Sequence, residues 1–135
     1  MTGNLSFQVV LSAPMEASIT TLTAALKEES FGVLTRIDTH KIFKEKLGEN
    51  TRPFIILGVC NPVLAHKALG ANPQVGLFLP CKITVEEVSD GTLISILDPE
   101  VILGGSFFED SQDIAEFGAD ARERLLRVVE TLRGS

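Results

Sequence analysis

The sequence predicts a two-layer α+β domain: a mixed or antiparallel sheet of about five strands with helices packed mainly on one face. Three observations carry this. Leu5, Phe7, Val9 and Leu11 alternate with Ser6 and Gln8, the period-two pattern of a strand with one buried face. Asp90-Gly91 separates two apolar runs and readily takes the backbone angles of a tight hairpin, so at least that pair of strands is antiparallel. Ile114, Phe117, Ala121, Leu125, Val128 and Leu132 recur at helical spacing, which marks a long helix covering a core.

The elements follow in order. After the first strand, Ser12-Ala13-Pro14 opens a helix, because proline in a first turn lacks only an N–H that would be unpaired there anyway. Ile19, Leu22 and Leu26 carry that helix to about Glu29, and Gly32 is expected to end it in the left-handed conformation. Val33 to Asp38 reads as a second strand, after which Asp38 or Thr39 caps a short helix ending at Gly48. Phe54 to Val59 is almost wholly apolar, as in a central strand or one covered on both faces. Asn61 then caps, and Pro62 begins, a helix reaching about Leu69. Strands over about Leu77 to Val88 and Leu93 to Leu97 form the hairpin, and Asp98-Pro99 breaks the second. In the last helix Asp120 with Arg124, and Glu123 with Arg127, make acid-before-base pairs four apart. The segments "VVLSAPMEASITTLTAAL" and "LGVCNPVLAHKAL" echo one another as strand, small polar residue, proline, helix.

With 135 residues, 44% hydrophobic and 22% charged, and no linker or low-complexity stretch, residues 1–135 read as a single domain. At this length roughly two-thirds of the unfolded surface can be buried, so neither disulfides nor metals are needed to hold the fold. A net charge of -6 argues against a nucleic-acid partner, since phosphate binding draws on clustered Lys and Arg. The densest basic stretch, His40 to Lys46, is short, interrupted by Glu45, and reads as a solvated helix face. Apolar runs such as Phe54 to Cys60 are too short to span a bilayer, so no membrane partner is expected. The opening MTGNLSFQVV lacks the basic start, apolar centre and small-residue cleavage site of a secretory signal. The expectation is a cytoplasmic protein with reduced thiols.

The chemistry concentrates on two cysteines. Cys60 ends a buried strand just before the capping Asn61, where the free N–H groups of a helix start favour negative charge and lower a thiol's pKa. One reading is therefore a reactive thiolate or an anion pocket built on Cys60, Asn61 and the N–H groups of Val63 and Leu64. The plainer alternative is that Cys60 packs as a small hydrophobe while Asn61 only caps. Cys81 follows Leu77-Phe78-Leu79-Pro80; if its strand pairs with that of Cys60, the two sulfurs share a pocket. The spacing is neither Cys-x-x-Cys nor a zinc pattern, His66 points away from the helix start, and no four-residue metal site with His40 and His66 is expected. No Gly-x-Ser-x-Gly elbow, phosphate-binding glycine loop or dinucleotide fingerprint is present, so no cofactor is expected and an enzymatic role is not favoured.

"ILGVCNPVLAHKAL" followed by "VGLFLPCKITVEE" resembles the core of the domain of unknown function 302 family, which joins a strand-end Cys-Asn-Pro to a downstream Leu-Pro-Cys. The likeness extends to "FGVLTRIDTHKIFKEKLG" and to the closing helix. It implies a compact α+β homodimer without an established activity, with hallmark positions on Cys60, Asn61, Pro62, Pro80 and Cys81. His40 and Lys41 stand where the resemblance leads one to expect a more apolar helix start. Three functional expectations follow. The first, which is preferred, is a homodimeric binding module taking a small anionic or thiol-reactive ligand, or a soft metal such as Cu(I), at Cys60, Asn61, Pro62, Pro80 and Cys81. The second is a thiol-dependent redox protein or enzyme with Cys60 as the low-pKa sulfur and Cys81 as its resolving partner. The third is a structural or regulatory dimer with inert cysteines.

Overall fold

In the computed structural model, which describes residues 5–134, the alternating opening segment forms β1 (Ser6–Leu11) and leads into α1 (Met15–Glu28). Residues 1–4, part of the stretch weighed as a secretory leader, lie outside the described residues. The chain continues through β2 (Gly32–Asp38), α2 (Thr39–Leu47), β3 (Phe54–Cys60), α3 (Pro62–Ala71), β4 (Cys81–Val88), β5 (Gly91–Leu97), α4 (Pro99–Leu103) and α5 (Gln112–Arg133). The strands form one sheet in the order β1-β5-β4-β3-β2, and every neighbouring pair is antiparallel. The expected α+β fold is therefore present, with its sheet antiparallel throughout. Because β1 and β2 lie at opposite edges, the connection through α1 crosses the whole sheet.

One face of the sheet is apolar because alternate residues point to it. Val9, Leu11, Ile55, Leu57, Val59, Ile83, Val85, Ile94 and Ile96 pack there against Leu22, Ala25 and Leu26 of α1 and Leu125, Val128, Val129 and Leu132 of α5. Each fully buried Leu or Ile among them contributes about 1.5–3 kcal/mol. The amino-terminal half of α5 serves a second, smaller core, in which Ile114, Phe117 and Ala121 meet Leu64 and Ala68 of α3, Val75, Leu103 and Phe108. The residues read as one helix stripe thus join two clusters. Across the other face the register aligns Ile37, Ile56, Thr84, Ser95 and Gln8 in one row, and Gln8 Nε2 donates to Ser95 Oγ at 3.0 Å.

Three local expectations change. The left-handed residue after α1 is Ser30, at φ 69°, and Gly32 already begins β2. Residues Pro73–Phe78 form a 3-10 turn capped by Asn72, so the hairpin's first strand starts only at Cys81, after a cis Leu79–Pro80 peptide. Asp98-Pro99 does break β5, and it then starts α4: the Asp98 side chain accepts from the Glu100 N–H at 3.0 Å. Gly48 ends α2 as expected, at φ 69°. A close approach explains Gly58: a Cβ there would lie 2.6 Å from Cγ of Pro80 and also meet Thr35, so only glycine lets that ring lie against β3.

Candidate functional site

The five residues singled out from the sequence gather at one corner, where β3 hands over to α3 and β4 begins. Asn61 is 4% exposed; its Oδ1 accepts from the Leu64 N–H at 3.2 Å, and its Nδ2 donates to the Glu29 carbonyl at 3.3 Å. Pro62 occupies the first turn of α3. β3 and β4 do pair, with Val59 directly opposite Cys81, which leaves Cys60 one residue past that rung. Both cysteines are free thiols rather than a bonded pair, and both line a void of about 10 Å³ walled by Phe31, Leu64, Leu79 and Phe117. That volume is no more than a single water requires. Burial pushes the Cys60 thiol up; burial, followed by the neighbouring Cys60, pushes Cys81 up to about 11. Desolvation disfavours the thiolate at both sulfurs.

A larger concavity, about 850 Å³, opens at another corner, between the start of α1, the start of α2 and the β4–β5 hairpin. Pro14 precedes α1 and supplies no side-chain cap, so the first-turn N–H groups meet the cleft without a side-chain acceptor. From α2 come His40 and Lys41, and from the segment before β3 comes Arg52. His40 is fixed by its backbone contacts: Nδ1 lies 3.1 Å from the Phe54 nitrogen and 3.3 Å from the Phe54 carbonyl oxygen, and the tautomer decides which of the two it engages. Three acids line the cleft, Glu16, Asp38 and Glu87, and two of them bind Arg36, which reaches Glu16 at 2.6 and 3.0 Å and Asp38 at 2.9 and 3.1 Å. The Arg36 hydrogen bonds hold both carboxyls below the usual carboxylate range. Arg52 bonds Glu86 at 2.7 Å, and Lys41 lies 3.6 Å from Asp38. Met15, Pro53 and Ile55 supply an apolar floor.

The comparisons with known proteins agree on kinship. A family model described as "Domain of unknown function DUF302" matches residues 7–132. The chain belongs to the DUF302 family. A crystal structure of an uncharacterized conserved DUF302 protein from Bacillus stearothermophilus is similar to it, with a TM-score of 0.84 and 32% identity over 95% of this chain and 98% of that one. No curated protein matches.

Within this DUF302 fold, sequence reasoning reached the corner of Cys60 and Cys81 and missed the cleft. The cleft residues come from four separated segments, around Pro14, His40, Pro53 and Gly91, which only the sheet order brings together. One signal was present: His40 and Lys41 depart from the apolar helix start that the family resemblance implies, and both line the cleft. No described helix is long and apolar enough to cross a membrane.

Proposed function

We propose that this DUF302 protein is a homodimeric binding module that takes a small anionic ligand in the cleft between α1 and α2. The observation that carries the reading is the convergence of the uncapped α1 start, His40, Lys41 and Arg52 on one concavity of about 850 Å³. Carboxylates or phosphates match donors of this kind, since a helix start and guanidinium or ammonium groups all favour negative charge. Arg36 supports the site by pairing with Glu16 and Asp38 on its rim, which offsets part of their charge.

The corner of Cys60, Asn61, Pro62, Pro80 and Cys81 acts in this reading as structure, because its void of about 10 Å³ has no room for a ligand and the amide of Asn61 is engaged at both ends. Thiol chemistry near neutral pH would need an ionised sulfur, and burial raises both thiols.

The test is calorimetric titration with inorganic phosphate and with citrate at low and high salt. Saturable binding that weakens with salt and is lost in Lys41→Ala and Arg52→Ala supports the proposal. Absence of binding, or binding indifferent to both substitutions, rejects it.

A further inference from the structure

We infer that the anionic ligand of the α1–α2 cleft also carries an amine, and that this amine pairs with Glu87. The inference rests on the reading of the cleft as a binding site and deepens it by naming the second charge that the ligand bears.

The sheet places Glu87 for this task. Ile83 and Val85 of β4 are buried against the helices, and Glu87, two residues further along, keeps to the same face. There the core has run out: Glu87 is exposed and lines the cleft. Its backbone is held on both sides, paired with Thr92 of β5 and donating its N–H to the Pro53 carbonyl at 3.1 Å. Thr92 in turn donates its hydroxyl to the Ala13 carbonyl at 2.8 Å, which pins the start of α1 against the same rung. Gly91 tightens that junction, since a Cβ on it would collide with the Leu11 carbonyl.

Charge sorts the cleft into two poles. Of its three acids, Glu16 and Asp38 are engaged by Arg36, and Asp38 lies 3.6 Å from Lys41 as well. Arg52 pairs with Glu86, whose side chain leaves the strand on the opposite face from that of Glu87. Glu87 itself has no cationic partner among the described residues. A purely anionic ligand meets this uncompensated carboxylate as a like charge, whereas an ammonium group on the same ligand pairs with it. Lys41 follows the end of β2 and Glu87 lies near the end of β4, with β3 between them, so the strands that carry the two poles are about 10 Å apart at the usual spacing. A short ligand with an anionic group at one end and an amine at the other spans that interval.

The experiment is calorimetric titration of the full-length chain, at neutral pH and low salt, with two matched pairs of probes: phosphoethanolamine with ethyl phosphate, and γ-aminobutyrate with butyrate. Within each pair only the amine differs, and the two pairs distinguish a phosphate from a carboxylate as the anionic group. Wild type is compared with Glu87→Gln, whose exposed position should leave circular dichroism and the urea midpoint unchanged. The expected result is that wild type binds the amine-bearing member of at least one pair about fivefold more tightly, the upper range for an exposed ion pair. Glu87→Gln should abolish that preference while binding the amine-free member as well as before or better, and Glu87→Asp should retain part of it. Equal affinities within both pairs, or a preference that survives Glu87→Gln, overturn the pairing with Glu87 and leave the cleft standing as an anion site. Absence of binding by all four probes overturns both.

Discussion

Asn61, at the start of α3, donates its side-chain amide to the backbone carbonyl of Glu29 just past α1, at 3.3 Å. The same side chain accepts from Leu64, so one buried residue ties two helices together and caps one of them. Arg124 and Arg127 of α5 also reach Glu29, at 3.4 Å to its carbonyl and 3.0 Å to its carboxylate. Within the Cys-Asn-Pro stretch, Asn61 is thus the residue that joins the two helices.

Asn61→Ala is expected to destabilise the fold by about 1–3 kcal/mol, the cost of losing a cap and leaving a buried N–H unpaired. Urea unfolding at neutral pH measures it. Ligand binding in the α1–α2 cleft should be unchanged.

The ion pairs of Arg36 make an acid-side prediction. Asp38 and Glu16 have folded-state pKa values lowered by the Arg36 hydrogen bonds, from ordinary values of 3.8 and 4.5. A lowered carboxylate contributes stability that is present above its unfolded pKa and lost as pH falls through the folded one. The stability gap between wild type and Arg36→Gln should therefore be full at neutral pH and close as pH drops below about 4. Because Glu16 is 71% exposed at its side chain, solvent screening keeps that gap within about 1 kcal/mol. Urea midpoints taken at neutral pH and in acid check both the size and the direction.

Cys81 makes the opposite prediction on the alkaline side. Its thiol is raised from 9.0 to about 11, so the unfolded chain ionises first as pH rises. The stability due to the neutral thiol is full below 9.0 and is lost as pH climbs toward 11. Cys81→Ala should flatten this alkaline fall relative to wild type, at a packing cost of about 1 kcal/mol at neutral pH. Iodoacetamide labelling of the native protein at neutral pH should be slow at both cysteines, and slower at Cys81 than at Cys60.

Much of the fold was legible because its signals are local. Asn61 and Pro62 announce α3, Asp90-Gly91 announces the hairpin, and the α5 stripe from Ile114 to Leu132 is buried where its period places it. The misplacements have physical causes. Ser30 takes the left-handed turn expected of Gly32, because a short polar side chain tolerates that conformation when the chain must turn sooner. Leu77 and Phe78 are apolar enough for a strand, but Asn72-Pro73 caps a 3-10 turn whose Phe78 packs toward the second core. The cysteine corner was legible as a place and not as chemistry, since the void beside Cys60 and Cys81 is walled by Phe31 and Phe117 from two distant segments. The cleft was hidden for a related reason: α1 crosses from one sheet edge to the other, and no sequence period encodes which strand ends its start will meet.

The most direct test of the binding site is an amide chemical-shift titration of the isotopically labelled protein with inorganic phosphate at low salt. The expected result is saturable movement at Met15, Glu16, Ala17, His40, Lys41 and Arg52, with Cys60, Asn61 and Leu64 unmoved. Saturable movement centred on Cys60, Asn61 and Leu64, or no movement at the cleft, would contradict the assignment of ligand binding to the start of α1 and the start of α2.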